Sequence, residues 1–118
     1  MAARPTPIWL ADIREEIAGI LDLTAGSDED AFAASWAMKR AVEHALLIIA
    51  EAAKHIPAES KADAPEVPWQ QIHGLGNLLR HEYRRISPAV LWSIITDHLV
   101  PLDRAIAVMQ GTVDDSGM

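Results

Sequence analysis

The chain is predicted to fold as an all-α protein, an antiparallel four-helix bundle with a kinked or split fourth helix. Three observations predict it. Helix-forming residues dominate, while apolar–polar alternation of the strand period and Asn-Gly turns are missing. Apolar residues recur at spacings of three and four. The pairs Thr6-Pro7 and Ser87-Pro88 each place a capping side chain before a proline, the arrangement that opens a helix.

The first helix opens at Thr6-Pro7, carries Leu10, Ile13, Ile17, Ile20 and Leu21 on one face, and ends at Gly26. The second begins at Ser27, with Asp28, Glu29 and Asp30 in its first turn against the positive end of the helix dipole. It is expected to run unbroken to Ile56, where Pro57 stops it. Its apolar set is Phe32, Trp36, Val42, Leu46, Ile49, Ala53 and Ile56. Around its middle, Ala45, Leu47, Ile48 and Ala50 spread apolar surface over most of the circumference, which calls for cover on more than one side. A second copy of the chain is the expected cover. Residues 57–67 read as a loop, and Pro68-Trp69 starts a third helix with Ile72, Leu75, Leu78 and Leu79. Ser87-Pro88 starts the fourth, with Val90, Leu91, Ile94, Ile95 and Leu99, and Pro101 kinks or divides it. Residues 1–110 thus form one domain, and 111–118, GTVDDSGM, are expected to be a disordered tail.

Half of the residues are apolar and 23% are charged, enough to build a core at this length without staples. No cysteine is present, so disulfides and thiolate metal sites are excluded, which fits a reducing cytoplasm. The longest apolar run, Ala45 to Ala50, is far short of the roughly 20 residues of a membrane span. The start, MAARPTPIWLADI, lacks a continuous apolar signal core, so neither membrane insertion nor secretion is expected.

A net charge of −7 opposes non-specific attraction of nucleic acid by the whole surface. Against it stands the stretch NLLRHEYRRISP, residues 77–88. Three of the ten basic residues, Arg80, Arg84 and Arg85, fall within six positions there, opposed locally by Glu82. Such an island suits an RNA phosphate backbone or the acidic surface of a partner; a solvated helix end is the plainer reading. His81 and Asn77 lie four apart and share a helix face, so Asn77 either orients the imidazole or satisfies backbone. Trp9, Trp36, Trp69 and Trp92 fall one per helix and are expected to pack between helices. That leaves Tyr83 as the aromatic beside cations. No histidine has convincing metal-ligand spacing, and no metal or other cofactor is expected.

The succession IIAEAAKHIP, VPWQQIHGLGN, HEY and VLWSIITDHLVPL resembles the HepT proteins, all-helical members of the HEPN superfamily, over roughly residues 8–108. The resemblance implies a homodimeric ribonuclease toxin of a toxin–antitoxin pair, acting on RNA. Its implied partner is an MNT-type nucleotidyltransferase that adenylylates the motif tyrosine. In the family signature Arg-x4-His-x-Tyr, His81 and Tyr83 take the last two places, and Asn77 is the asparagine that commonly follows the arginine. Gly76 stands where the arginine belongs, and Ala50 where the family often has glycine.

The chemistry fits these residue types. Metal-independent RNA cleavage needs a proton acceptor, a proton donor and a cation for the developing phosphorane. Histidine titrates near neutrality, and arginine stays charged. Two copies of His81 across a dimer cleft would divide acid and base roles. Position 80 lies about 40° around the helix from position 76, one turn on, so Arg80 can reach the space of the missing side chain. Pairing with an acid such as Glu82, or facing water, is the alternative for Arg80. His81, Asn77 and Arg80 are therefore the catalytic candidates, and Arg80, Arg84 and Arg85 the phosphate-binding ones. Tyr83 is the AMP acceptor that the resemblance implies. A non-catalytic dimer that binds only a nucleotidyltransferase is the other open reading.

Overall fold

The structure, a computed structural model, describes residues 5–116, with side chains to residue 112. Among these residues all regular structure is helical. Helix α1 spans Thr6–Thr24 and buries Leu10, Ile13, Ile17 and Ile20. Its cap position is Pro5 rather than Thr6, and no side chain caps it; Thr6 is already helical. Gly26 follows in the left-handed region, φ 79°, where a side chain would be strained.

The expected second helix is two helices. Asp28, not Ser27, caps α2 (Glu29–Ala34), its carboxylate accepting from the Ala31 N–H at 2.8 Å. Ser35 is extended, and its hydroxyl accepts from the Met38 N–H at 3.0 Å to open α3, Trp36–Lys54. The break turns α2 aside to pack on α6, Pro88–Ser93. There Phe32, fully buried, meets the Trp92 ring at 5.5 Å between centroids. A serine inside an alanine-rich run reads as helix interior; its use as a cap shows only when the chain must bend.

Residues 57–67 connect α3 to α5 (Trp69–His81) and include one helical turn, α4 (Ala58–Lys61). Ala64 and Val67 are buried and pin the connection to the body. The Trp69 indole N–H donates to the Ala64 carbonyl at 3.1 Å. After α5 a single 3-10 turn, Tyr83–Arg85, leads to Ser87, whose hydroxyl accepts from Val90 N–H at 3.2 Å and caps α6 as expected.

The fourth helix is divided by a π turn, Ile94–His98, before α7 (Leu99–Ser116). Pro101 has no N–H to give the carbonyl four residues back, that of Asp97, which lies within the wide turn. The π turn is where the ladder adjusts to the missing donor. Helix α7 runs past Gly111 to Ser116, through most of the segment expected to be a loose tail; Gly117 and Met118 lie outside the described residues. A glycine inside a helix costs only about 1 kcal/mol and need not end it.

α1 packs against both α3 and α7, and α5 packs against α3. Trp9 near the start of α1 stacks on His55 at the end of α3, ring centroids 4.3 Å apart, so the two helices run antiparallel. Arg14 ties α1 to α7, donating to both oxygens of Asp103 (3.0 and 3.4 Å) and to Gln110 at 2.9 Å. The Asp103 hydrogen bond and charge hold the Arg14 guanidinium above its ordinary pKa. Between α5 and α7 an apolar groove of about 510 Å³ stays open, lined by Leu46, Ile49, Ile72, Leu75, Ile94 and Leu102 among others. Packing of α1 and α5 nevertheless covers much of the middle of α3 within one protomer: Leu46, Ile49 and Ala50 are buried, and Ala45, Leu47 and Ile48 half-buried. No described helix is long and apolar enough to cross a membrane.

Three of the four tryptophans pack between elements as expected, and Trp36 does not. It is 70% exposed at the start of α3. Truncating the buried aromatic should therefore cost far more than truncating the exposed one. Phe32→Ala is expected to lose about 3–5 kcal/mol of stability, and Trp36→Ala about 0.5 kcal/mol or less. Urea unfolding followed by circular dichroism measures both, and a large loss in Trp36→Ala would contradict the exposed placement.

Candidate functional site

Helices α3 and α5 cross at one tight contact. Gly76 is buried, and a Cβ built on it would lie 2.7 Å from the Cβ of Ala50, closer than two carbons tolerate. The two places where the sequence departs from the motif thus meet at a single point. The motif arginine would need space at 76, and the space is filled from the α3 side by the Ala50 methyl. One residue of the pair must be glycine; here it is the one on α5.

That crossing sets what lies along the seam. Arg80, one turn beyond Gly76, sends its guanidinium back toward the contact. Its Nη1 donates to Asn77 Oδ1 at 3.1 Å, and its Nη2 forms an ion pair with Glu51 of α3. Its acidic partner is therefore neither Glu82 nor water, but a residue of the facing helix. Asn77 spends its amide oxygen on Arg80, so it does not orient His81 through that atom. His81 ends α5, exposed, and no described residue hydrogen-bonds its ring.

Tyr83 sits on the 3-10 turn just past α5, 37% exposed. Two guanidinium groups lie over its ring: Arg40 of α3 at 5.0 Å from the centroid and Arg84 at 5.8 Å. Arg40 also forms an ion pair with Glu43 one turn along its own helix. Sequence reasoning missed Arg40, because 40 residues separate it from the island. The signal that could have found it is the antiparallel register: once Gly76 faces Ala50, residue 83 falls near residue 40 or 43. Arg85 behaves differently. It is 71% exposed and bonds locally to both oxygens of Glu82, at 3.2 and 3.3 Å.

The structure thus gathers Arg40, Arg80, Arg84 and Tyr83 on the α3–α5 seam with His81 at its open end, and leaves Arg85 to the side. Guanidinium groups beside an exposed imidazole can bind a phosphodiester and move a proton near it. Among the described residues no three His, Asp or Glu side chains converge as a metal site.

A family model described as Ribonuclease HepT-like matches residues 13–109. A protein of Methanocaldococcus jannaschii named "Putative RNase MJ1380" is 29% identical over 92% of this chain and 100% of its own length. A Thermococcus cleftensis protein named "Probable ribonuclease HepT" is 33% identical over 80% of this chain and 86% of its own. A third, of Caldanaerobacter subterraneus, named "Putative RNase TTE0752", is 28% identical over 86% of this chain and 90% of its own. No solved structure matches significantly.

The Ala50–Gly76 contact makes a prediction about restoring the motif. Gly76→Arg alone forces the helices apart and should cost about 1–3 kcal/mol, as overpacking does. Adding Ala50→Gly removes the obstructing methyl and should recover most of that loss. Thermal unfolding of the single and double variants measures it; equal stability of the two would show that the contact is not limiting.

Proposed function

The chain belongs to the HepT-like ribonuclease family, and on that premise we propose that it is a metal-independent ribonuclease, the toxin of a toxin–antitoxin pair. It works in the cytoplasm as a homodimer, and an MNT-type nucleotidyltransferase silences it by adenylylating Tyr83. The observation that carries this reading is the seam itself: His81 stands exposed at the end of α5, in the family's histidine place and next in sequence to Arg80, and the seam carries guanidinium groups from two helices.

In the proposed reaction His81 takes the proton of an RNA 2′-hydroxyl, and that oxygen attacks the adjacent phosphorus. The bond to the 5′-oxygen breaks, and His81 of the partner subunit gives the leaving oxygen a proton. The products are a 2′,3′-cyclic phosphate and a 5′-hydroxyl, and the two histidines have exchanged roles. Arg80 supplies the charge for the phosphorane in place of a side chain at 76. A guanidinium carries five N–H donors, and Asn77 and Glu51 engage only part of that set. Asn77 then acts on Arg80, fixing the cation, rather than on the imidazole. The apolar groove between α5 and α7 supports the dimer through its half-buried rim, Ile72, Leu75, Ile94 and Leu102, which one protomer covers only in part.

The second reading, a non-catalytic dimer that only docks a nucleotidyltransferase, is favoured by one observation: Gly76 lacks the motif cation and Glu51 already neutralises its substitute. Cleavage decides between them. The purified chain should cut single-stranded RNA in EDTA, and His81→Ala should abolish cutting. Arg80→Ala should slow cleavage roughly a hundredfold, the scale of removing one donor from the transition state, and Arg85→Ala only a few-fold. Gel analysis of end-labelled RNA measures all three. An intact His81 chain that cuts nothing leaves the binding-module reading.

Tyr83 is the sole tyrosine, so modification is tested without a competing phenol. Incubation with the partner nucleotidyltransferase, ATP and magnesium should add AMP to the intact mass, and Tyr83→Phe should prevent it. The added phosphate would draw Arg40 and Arg84 away from RNA, and the adenosine would crowd His81. Mass added equally to Tyr83→Phe would place the acceptor elsewhere.

A further inference from the structure

Two features of the seam lie outside the proposed catalytic centre, one at each end of α3. At the start, Trp36 exposes its indole beside Arg40, which is one turn on and already stacked against Tyr83. At the end, a pocket of about 460 Å³ opens between α3, α4 and α5. Ala50 floors it, and Lys54, Lys61, Trp69, Gln70 and His73 wall it, with no carboxylate in the lining. In a chain of net charge −7, a pocket lined by two lysines and a histidine without an acid is a local reversal of sign. It is also a built pocket. The Ala64 carbonyl tethers the Trp69 indole, and the Lys61 ammonium lies 5.6 Å over that ring.

The two features share one helical stripe. From Trp36 to Lys54 is 18 residues, which at about 100° per residue make five whole turns, so both positions face the same way about 27 Å apart. Between them on the stripe lie Arg40, Glu43 and Leu47, with Arg80 of α5 alongside, while Ala50 is buried against Gly76 beneath that surface. The carboxylates of this face, Glu43 and Glu51, are each held in an ion pair with an arginine, so neither presents free negative charge.

We infer that a single RNA strand lies lengthwise on this stripe, a base stacked on Trp36 at one end and a backbone phosphate in the Lys54–Lys61–His73 pocket at the other. The inference rests on the ribonuclease reading and gives it a substrate path. Stacking on an exposed indole serves any base, and phosphate contacts serve any sequence. The track therefore selects single strands with little sequence preference, because a duplex keeps its bases stacked on each other.

The test uses the full chain and a fluorescein-labelled, fully 2′-O-methylated single strand of about a dozen nucleotides, which binds but cannot be cut. Anisotropy titrations across a salt series give affinity and its salt slope. Trp36→Ala should weaken binding about tenfold with an unchanged slope, while Trp36→Phe keeps most of the affinity. The double variant Lys54→Ala, Lys61→Ala should weaken binding and flatten the slope by about 0.7 for each phosphate no longer neutralised. Arg104→Ala, the same charge change on α7, should alter neither. Unchanged affinity and slope in the tryptophan and lysine variants overturns the track while leaving cleavage at His81 standing. So does a Trp36→Ala chain that fails to dimerise but binds RNA normally per subunit. A wild-type chain with no affinity for the strand overturns both the track and the ribonuclease reading.

Discussion

The close approach of α3 and α5 at Ala50 and Gly76 is the constraint on which the rest of the seam depends. At this crossing the helices approach too closely for a Cβ on both sides, and the missing side chain belongs to α5. With that point fixed, antiparallel register follows in both directions. Toward the end of α5, Arg80 reaches Glu51 and Tyr83 comes to rest under Arg40. Toward its start, Trp69 and His73 close the basic pocket with Lys54. The contact that removes the motif arginine is thus the same contact that assembles the cations around it.

Much of this fold is legible in the sequence because its helices are written in apolar period and caps. Ser87 caps α6 as its place before Pro88 predicts, and Pro101 marks the disturbed part of the fourth helix. What local patterns do not carry is bending within a run that reads as helix throughout. Ser35 is flanked by alanines and a tryptophan, and only the packing of Phe32 on Trp92 reveals why the chain turns there. Trp36 follows from the same turn. In an unbroken helix it would share the buried face of Phe32, but the break rotates it outward.

The candidate site divides the same way. His81, Tyr83 and the arginine island stand together in sequence, so their proximity needs no tertiary knowledge. The pairing within the island does. Arg80 and Arg85 look equivalent in a string of residues, yet one is drawn across to Glu51 and the other folds back on Glu82. Arg40 belongs to the site through α3 alone, as does Glu51. Asn77 was legible as a polar neighbour, but its partner is the arginine three residues on and not the histidine four residues on. Spacing names the residues that can meet on a helix face; the facing helix chooses which of them do.

Moving the cation from position 76 to position 80 has a chemical consequence. A side chain at 76 would leave the helix at the crossing itself, pressed between two backbones and shielded from water. Arg80 starts a turn further out and returns to that region by its length, so it needs an anchor, and Glu51 with Asn77 supplies one. An anchor that is a carboxylate also competes with phosphate for the same guanidinium. Exposed ion pairs contribute little, about 0–1 kcal/mol, so a phosphodiester can share or displace Glu51 without a large penalty. A buried pair would hold the arginine too firmly for that. The half-exposed setting of both partners is therefore suited to a cation that must be placed in advance and still remain available. The arrangement trades the fixed position of a motif arginine for one set by a neighbouring acid, and the strength of that acid's hold decides how much charge reaches the substrate.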